Sequence, residues 1–170
     1  RTTEYGAFHD VYPSVFLEVG NDVVSIGLDY VPIAIETPEN INDSNLSGGK
    51  TTPESKVQVD FENHYTIYAL VRAPWYGLYL KAGITETEVV INETQKSGNT
   101  YADQNTDGYT VALGSEIDTG AGLNLRIEVA GSIYDDVKTN NGVATTGNRN
   151  EIIVESMIGA TGRLSLVKTF

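Results

Sequence analysis

With 170 residues, a net charge of −12 and no cysteine, the chain suits a single domain and rules out a disulfide framework or a cysteine metal site. The acidity argues against nucleic acid, which needs a basic patch. No run of about 18 apolar residues is present, which excludes a transmembrane helix but not a membrane barrel, whose apolarity hides in alternate positions.

Ten tyrosines, 17 glycines and many Thr, Val and Asn residues favour strands over helices. The chain carries neither an initiator Met nor a signal peptide, as a mature, trimmed or partial sequence would. Alternation begins clearly at Ser14 and runs to Gly20, where Gly20-Asn21-Asp22 signals a tight turn. A second strand sets Val24, Ile26, Leu28 and Tyr30 against Ser25, Gly27 and Asp29. Residues 35–56, with Pro38, Gly48, Gly49 and Pro53, read as a long polar loop. The third strand, Val57–Arg72, places Val57, Val59, Phe61, Tyr65, Ile67, Ala69 and Val71 on one face. Its other face carries Asp60, Glu62, His64, Thr66, Tyr68 and Arg72.

A short turn at Ala73-Pro74-Trp75 leads into a fourth strand, Tyr76–Ile91, with an oily face of Tyr76, Leu78, Leu80, Ala82 and Ile84. Residues 92–107 are a second polar loop, and Gly108–Ile117 a fifth strand. After the glycine-rich turn at 118–122 the sixth strand, Leu123–Val137, alternates Leu125, Ile127 and Val129 with Asn124, Arg126 and Glu128. Residues 138–150 form a third loop. The last segment, Glu151–Phe170, alternates throughout, its even positions running Ile152, Val154, Ile158, Leu164 and Leu166 to the terminal Phe170. Soluble strands usually run about 5–6 residues, so this one is out of scale.

Short turns and long polar loops alternate strictly, the layout of an all-β, membrane-spanning antiparallel up-and-down barrel. Seven strands are visible, and bacterial barrels of this kind have an even number. An ascending strand is therefore expected upstream of Arg1, giving eight strands in one barrel domain over residues 1–170 that lacks its first strand; residues 1–13 could instead be irregular.

A tilted strand climbs roughly 2.5 Å per residue, so a lipid band of about 25 Å needs about 10 residues. Tyr30, Tyr65 and Tyr109 lie eight or nine residues from the turn residues Asp22, Pro74 and Asp118, where an outer aromatic girdle belongs. Trp75, Tyr76 and Phe170 lie at turn level, where the inner girdle belongs. Glu86, Glu88 and Asp135, charged residues on the oily parity, fall above the band. The opposite parity would fill the interior with Glu18, Asp29, Arg72, Lys81, Glu116, Arg126, Glu128 and Arg163. Eight strands leave a lumen that side chains fill, and charges there must pair. A salt-bridge plug is the expected use of these residues, with a narrow proton or ion path as the sharper alternative.

Catalysis has thin support. His9 and His64 lie on different strands, and no GxSxG-like nucleophile signature is present. No catalytic residue and no bound cofactor is expected. Asp103, Asn105 and Asp107, followed by Gly108, match the first half of a calcium loop, but Gly114 stands where the bidentate acid belongs.

The segments Tyr76–Gly83, Asp107–Glu116 and Leu123–Glu128 together resemble the OmpA/OmpX-like outer-membrane β-barrel family. The likeness covers about residues 57–137, and the C-terminal aromatic extends it to the end. It implies a Gram-negative outer-membrane barrel among lipid and lipopolysaccharide, inserted by the barrel-assembly machinery through its last strand. Lys168 departs from the apolar or aromatic residue usual there. The expected role is structural or surface interaction through acidic extracellular loops, with an unidentified surface partner. A narrow ion or small-solute channel, a lipid-modifying enzyme and a soluble lipocalin-like barrel are the alternatives.

Overall fold

The computed structural model describes residues 6–42, 55–94, 100–120, 122–142 and 151–170; the central parts of the three expected long loops lie outside these ranges. The strands are β1 (Val15–Gly20), β2 (Val24–Tyr30), β3 (Ile35–Glu36), β4 (Asn40–Asn42), β5 (Ser55–Arg72), β6 (Leu78–Thr94), β7 (Gln104–Asp118), β8 (Asn124–Tyr134), β9 (Val137–Asn140), β10 (Glu151–Val154) and β11 (Ile158–Val167). The protein is all-β and antiparallel. Its main sheet runs β1-β2-β5-β6-β7-β8-β11, with β3 and β4 added to the upper part of β5, and β9 and β10 form a separate hairpin. The sheet is not closed, since β1 and β11 do not pair.

Each short turn has a local cause. Asn21 accepts the amides of Val23 and Val24 at 2.9 Å through Oδ1, an Asx turn that fixes the β1–β2 register. Tyr76 and Gly77 both take positive φ (58° and 60°) between β5 and β6, the pair of left-handed residues that a tight hairpin requires. Between β7 and β8, Gly120 and Gly122 take the left-handed conformation, and Asp118 caps the Gly120 amide at 2.7 Å.

The sheet curls until strands far apart in its order touch. Arg126 of β8 reaches Glu18 of β1 at 2.6 Å, and Arg163 of β11 pairs with Asp29 of β2. The polar parity faces this concave side. Ser25, Asp29, Thr66, Lys81, Thr110 and Arg126 are buried, whereas Leu17, Ile26, Leu113 and Leu164 stand exposed on the convex side. A soluble barrel packs its apolar parity inward; this sheet does the reverse.

The reversal stops along one register line. A β-bulge shifts the β5–β6 register between Glu62 and Tyr65, with Asn63 at φ 50°. Below it Tyr65 and Ile67 belong to the convex face, and above it Phe61 pairs with the buried Val89 and with Ile35. Following the ladder from Tyr65 leads to Glu86, then to Asp107, and the Asp107 carbonyl accepts the Asp135 amide at 2.8 Å. There β8 ends and β9 begins with Val137 buried. Across from that break Ser156 takes φ 60° and its amide is bound by Asp136 at 3.1 Å. Ser156 separates β10 from β11 and inverts the phase: Ile152 and Val154 are half-buried, whereas Ile158 and Leu164, on the same parity beyond it, are exposed.

Three sequence expectations are corrected by this line. Val57, Val59 and Phe61 do not share a face with Tyr65–Val71, because the bulge inserts one residue and a single insertion exchanges the faces. Ile152 and Val154 do not share a face with Leu164, because Ser156 breaks the strand. Asp60 and Glu62 are parted from His64, which lines the cleft with its ring 6.3 Å from that of Tyr134. Strand limits move as well: β7 begins at Gln104 inside the expected loop, and regular pairing in the first strand begins only at Val15.

Two interior glycines make room for tyrosines. A Cβ on Gly27 would overlap the Tyr68 ring, and one on Gly114 the Tyr79 ring. Gly114→Ala is expected to cost roughly 1–3 kcal/mol by forced repacking, measured as a fall in the urea midpoint. The loss should shrink in a Tyr79→Ala background, where the ring is gone; an undiminished loss would mean that the glycine serves some other purpose.

Candidate functional site: a buried ion-pair lattice

The concave face of β1, β2, β5, β6, β7, β8 and β11 carries four basic and four acidic side chains, so their formal charges cancel. The structure brings together all eight expected interior residues, in two clusters. In the lower one Arg126 is the hub. Its Nη1 and Nη2 donate to the two Glu18 oxygens at 2.6 and 3.0 Å. Its Nε and Nη2 donate to Glu116 at 3.2 and 2.7 Å. Such forked pairing is the strongest that a guanidinium makes with carboxylates. The Phe16 and Tyr79 rings lie 5.0 and 5.1 Å from the guanidinium carbon, adding cation–π attraction to a buried cation. Glu18 also accepts from Arg72 at 3.1 Å and from the Tyr68 hydroxyl at 2.8 Å.

In the upper cluster Lys81 donates to Glu128 at 2.5 Å and Tyr79 donates to the other Glu128 oxygen at 2.8 Å. Lys81 and Glu128 are each about 95% buried or more at the side chain. Charges this deep survive only when paired and hydrogen-bonded, because removing each from water costs several kcal/mol. Arg163 pairs with Asp29 and stands 3.9 Å from Glu128. One atom breaks the pattern: Asp29 Oδ1 is buried with no hydrogen-bond partner among the described residues.

A second arrangement lies across the strands just below the polarity line. Thr66, Thr85, Thr110 and Ser132 hydroxyls follow one another at 2.8, 2.7 and 2.7 Å. They form a belt over β5, β6, β7 and β8, in which Thr85 and Thr110 each bond on both sides. Sequence reasoning missed this belt and the hydroxyl roles of Tyr68 and Tyr79. The signal was present, since each of these residues lies on the polar parity, but the register that joins them cannot be read from one strand alone.

The other sequence candidates fall as follows. Tyr30 pairs with Tyr65, and Ile84 with Tyr109, along the upper edge of the convex apolar face. Trp75 and Tyr76 occupy the β5–β6 turn, and Phe170 is fully exposed at the end of the chain. The Tyr65 hydroxyl donates to Glu86 at 2.5 Å. Asn105 and Asp107 lie within the extended strand β7, and Asp103 accepts the Ile91 amide at 3.1 Å, so the calcium half-motif is not wrapped around a common centre. Among the described residues no group of three or more His, Cys, Asp or Glu is placed to hold a metal ion. His9 is exposed, and His64 follows the bulge residue Asn63. No family model, curated protein or solved structure matches the chain.

Chemically, a charge-neutral lattice of this kind ties β1 to β8 and β2 to β11 across the concave side and holds the curl of the sheet. Within it Glu18, Glu116 and Glu128 each accept from at least two donors. Above the register line the convex face turns acidic, with Glu62, Glu86, Glu88, Asp107 and Asp135.

Proposed function

We propose that the protein is a small bacterial outer-membrane β-barrel, eight-stranded when closed, whose ion-pair lattice plugs the lumen. Its role on this reading is structural or surface interaction through the acidic upper strands and loops. The observation that carries the reading is the inverted polarity below the register line. Apolar side chains stand outward over a band bounded by tyrosines, and charges lie inside. In water such a surface, far larger than the few hundred Å² that soluble monomers expose, would drive association. In lipid it is the favourable face, and the curled antiparallel sheet needs only closure to satisfy its backbone. The partners on this reading are outer-membrane lipid and lipopolysaccharide outside, and the barrel-assembly machinery acting on β11 and Phe170.

Protein refolded in detergent should migrate faster on a gel unheated than boiled, and reconstituted protein should give no porin-sized conductance in planar bilayers. Identical migration together with solubility in plain buffer would overturn the membrane reading. A stable open current would overturn the plug and favour a narrow ion or small-solute channel.

A further inference from the structure

Away from its two edges, the cleft on the concave side borders the sheet in two separate places. The lower set is polar: Ser25, Arg72, Glu116 and Asn124. The upper set includes Ile35, Val59, Phe61, His64, Val89 and Tyr134 and contains no Asp, Glu, Lys or Arg. Lys81, Glu128, Thr66, Thr85 and Thr110 border the cleft in neither place. The ion pairs and the hydroxyl belt thus divide it into a lower vestibule and an upper chamber.

The walls of the chamber follow from the register line. Above the bulge Phe61 stands opposite Val89 on one side and Ile35 on the other, so apolar side chains of three adjacent strands share the concave face. His64 and Tyr134 form the floor, their rings 6.3 Å apart and tilted by 56°. Ser132, the end of the hydroxyl belt, precedes Tyr134 on the same parity. These side chains are not the packed core of the upper strands. Val31, Tyr101 and Val137 are that core, buried and away from the cleft, whereas Phe61, His64 and Tyr134 stay half-buried.

Two observations describe what the chamber accepts. The Phe8 ring lies parallel to that of Phe61, planes within 6° and centroids 5.9 Å apart. Phe8 nevertheless stays 42% exposed, in a segment, residues 6–14, that belongs to no strand. A flat ring therefore fits over Phe61, and the one now there is held by an exposed stretch of chain. The second observation is His64, whose ring nitrogens make no hydrogen bond among the described residues. An imidazole offers a donor and an acceptor, and here both go unused beside the cleft that the ring lines.

We propose that the upper chamber binds a small, uncharged, planar aromatic molecule bearing one hydrogen-bonding group. Its ring stacks on Phe61 in the place that Phe8 takes, its polar group bonds His64, and Ile35, Val59 and Val89 surround the rest. Ions are excluded, because they would give up water to a wall that offers them no opposite charge. With the ion-pair lattice beneath, the site holds its ligand and does not pass it along the sheet. Every wall residue named lies above the register line or within one rung of it, so the site does not depend on lipid and adds a ligand to the structural role.

Indole tests this by equilibrium dialysis against folded protein of residues 1–170, with equal detergent on both sides so that uptake by micelles cancels. Indene, of the same shape without the N–H, benzoate and octanol serve as comparisons. Indole should bind saturably, one per chain, and indene about fivefold to tenfold more weakly, as the loss of one hydrogen bond gives. Phe8→Ala should tighten indole binding roughly threefold to tenfold by removing the competing ring, and Phe61→Ala should weaken it by a similar factor. His64→Phe keeps the bulk and should erase the preference for indole over indene. Gel shift reports whether each variant folds, and tighter binding by Phe8→Ala cannot come from misfolding. Uptake that never saturates would overturn the proposal, as would tighter binding of benzoate or octanol than of indole. So would weaker or unchanged binding in Phe8→Ala, or a preference for indole that survives His64→Phe. Should the protein prove soluble in plain buffer, the same dialysis is run without detergent, so this site and the barrel reading fail separately.

Discussion

Leu113→Arg is expected to cost roughly 2–4 kcal/mol of folding free energy in lipid vesicles, the cost of a cation near the midplane of a barrel's lipid face. Leu113 is 56% exposed on the convex face, between the β7–β8 turn and Tyr109. In an aqueous protein the same change would be a surface substitution worth within about 0.5 kcal/mol, and it would improve solubility. Asn105→Arg supplies the control: it lies on the same strand and parity but above the register line, and should change little in either setting. Urea titrations of vesicle-folded protein, read by gel shift, separate the cases. Equal, small effects at 105 and 113 would remove the case for a lipid band.

Arg126→Met should be the most damaging single change inside the sheet, at about 3–5 kcal/mol, because it leaves two carboxylates facing one another in a site with little water. Glu18 would keep Arg72 and Tyr68, and Glu116 would keep Asn124; neither set neutralises both charges. Adding Glu18→Gln and Glu116→Gln to Arg126→Met should recover most of the loss. A single-variant loss below about 1 kcal/mol would show that water enters the lattice and screens it.

The parts legible in the sequence are those governed by one strand at a time. Alternation in Val24–Tyr30 and in β7 and β8 placed the strands, and the polar parity named the eight interior charges. On β6 the upper change of polarity could be read from Glu86 and Glu88. On β5 it could not, since Asn63 leaves the apolar residues on odd positions both below and above the bulge. The phase slip is visible only against the partner strand, where Glu62 and Tyr65 answer to Glu88 and Glu86. The same holds for Ser156: a polar residue at an apolar phase looks like a blemish in a long strand until its φ of 60° is known. Pairing within the lattice lies further still from the sequence, because Arg126 and Glu18 are 108 residues apart.

If the protein sits in a bilayer as proposed, the register line through Asn63, Glu86, Asp107, Asp135 and Ser156 sets the height at which it floats. Moved outward by one rung, it would lift apolar residues into water; moved inward by one, it would drag the carboxylates of Glu86 and Asp107 toward hydrocarbon. Both displacements are opposed, so the line behaves as a waterline drawn on a hull. A thicker or thinner bilayer would then be expected to deform around the protein at its lower rim, near Trp75 and Phe170, while the upper edge stays level.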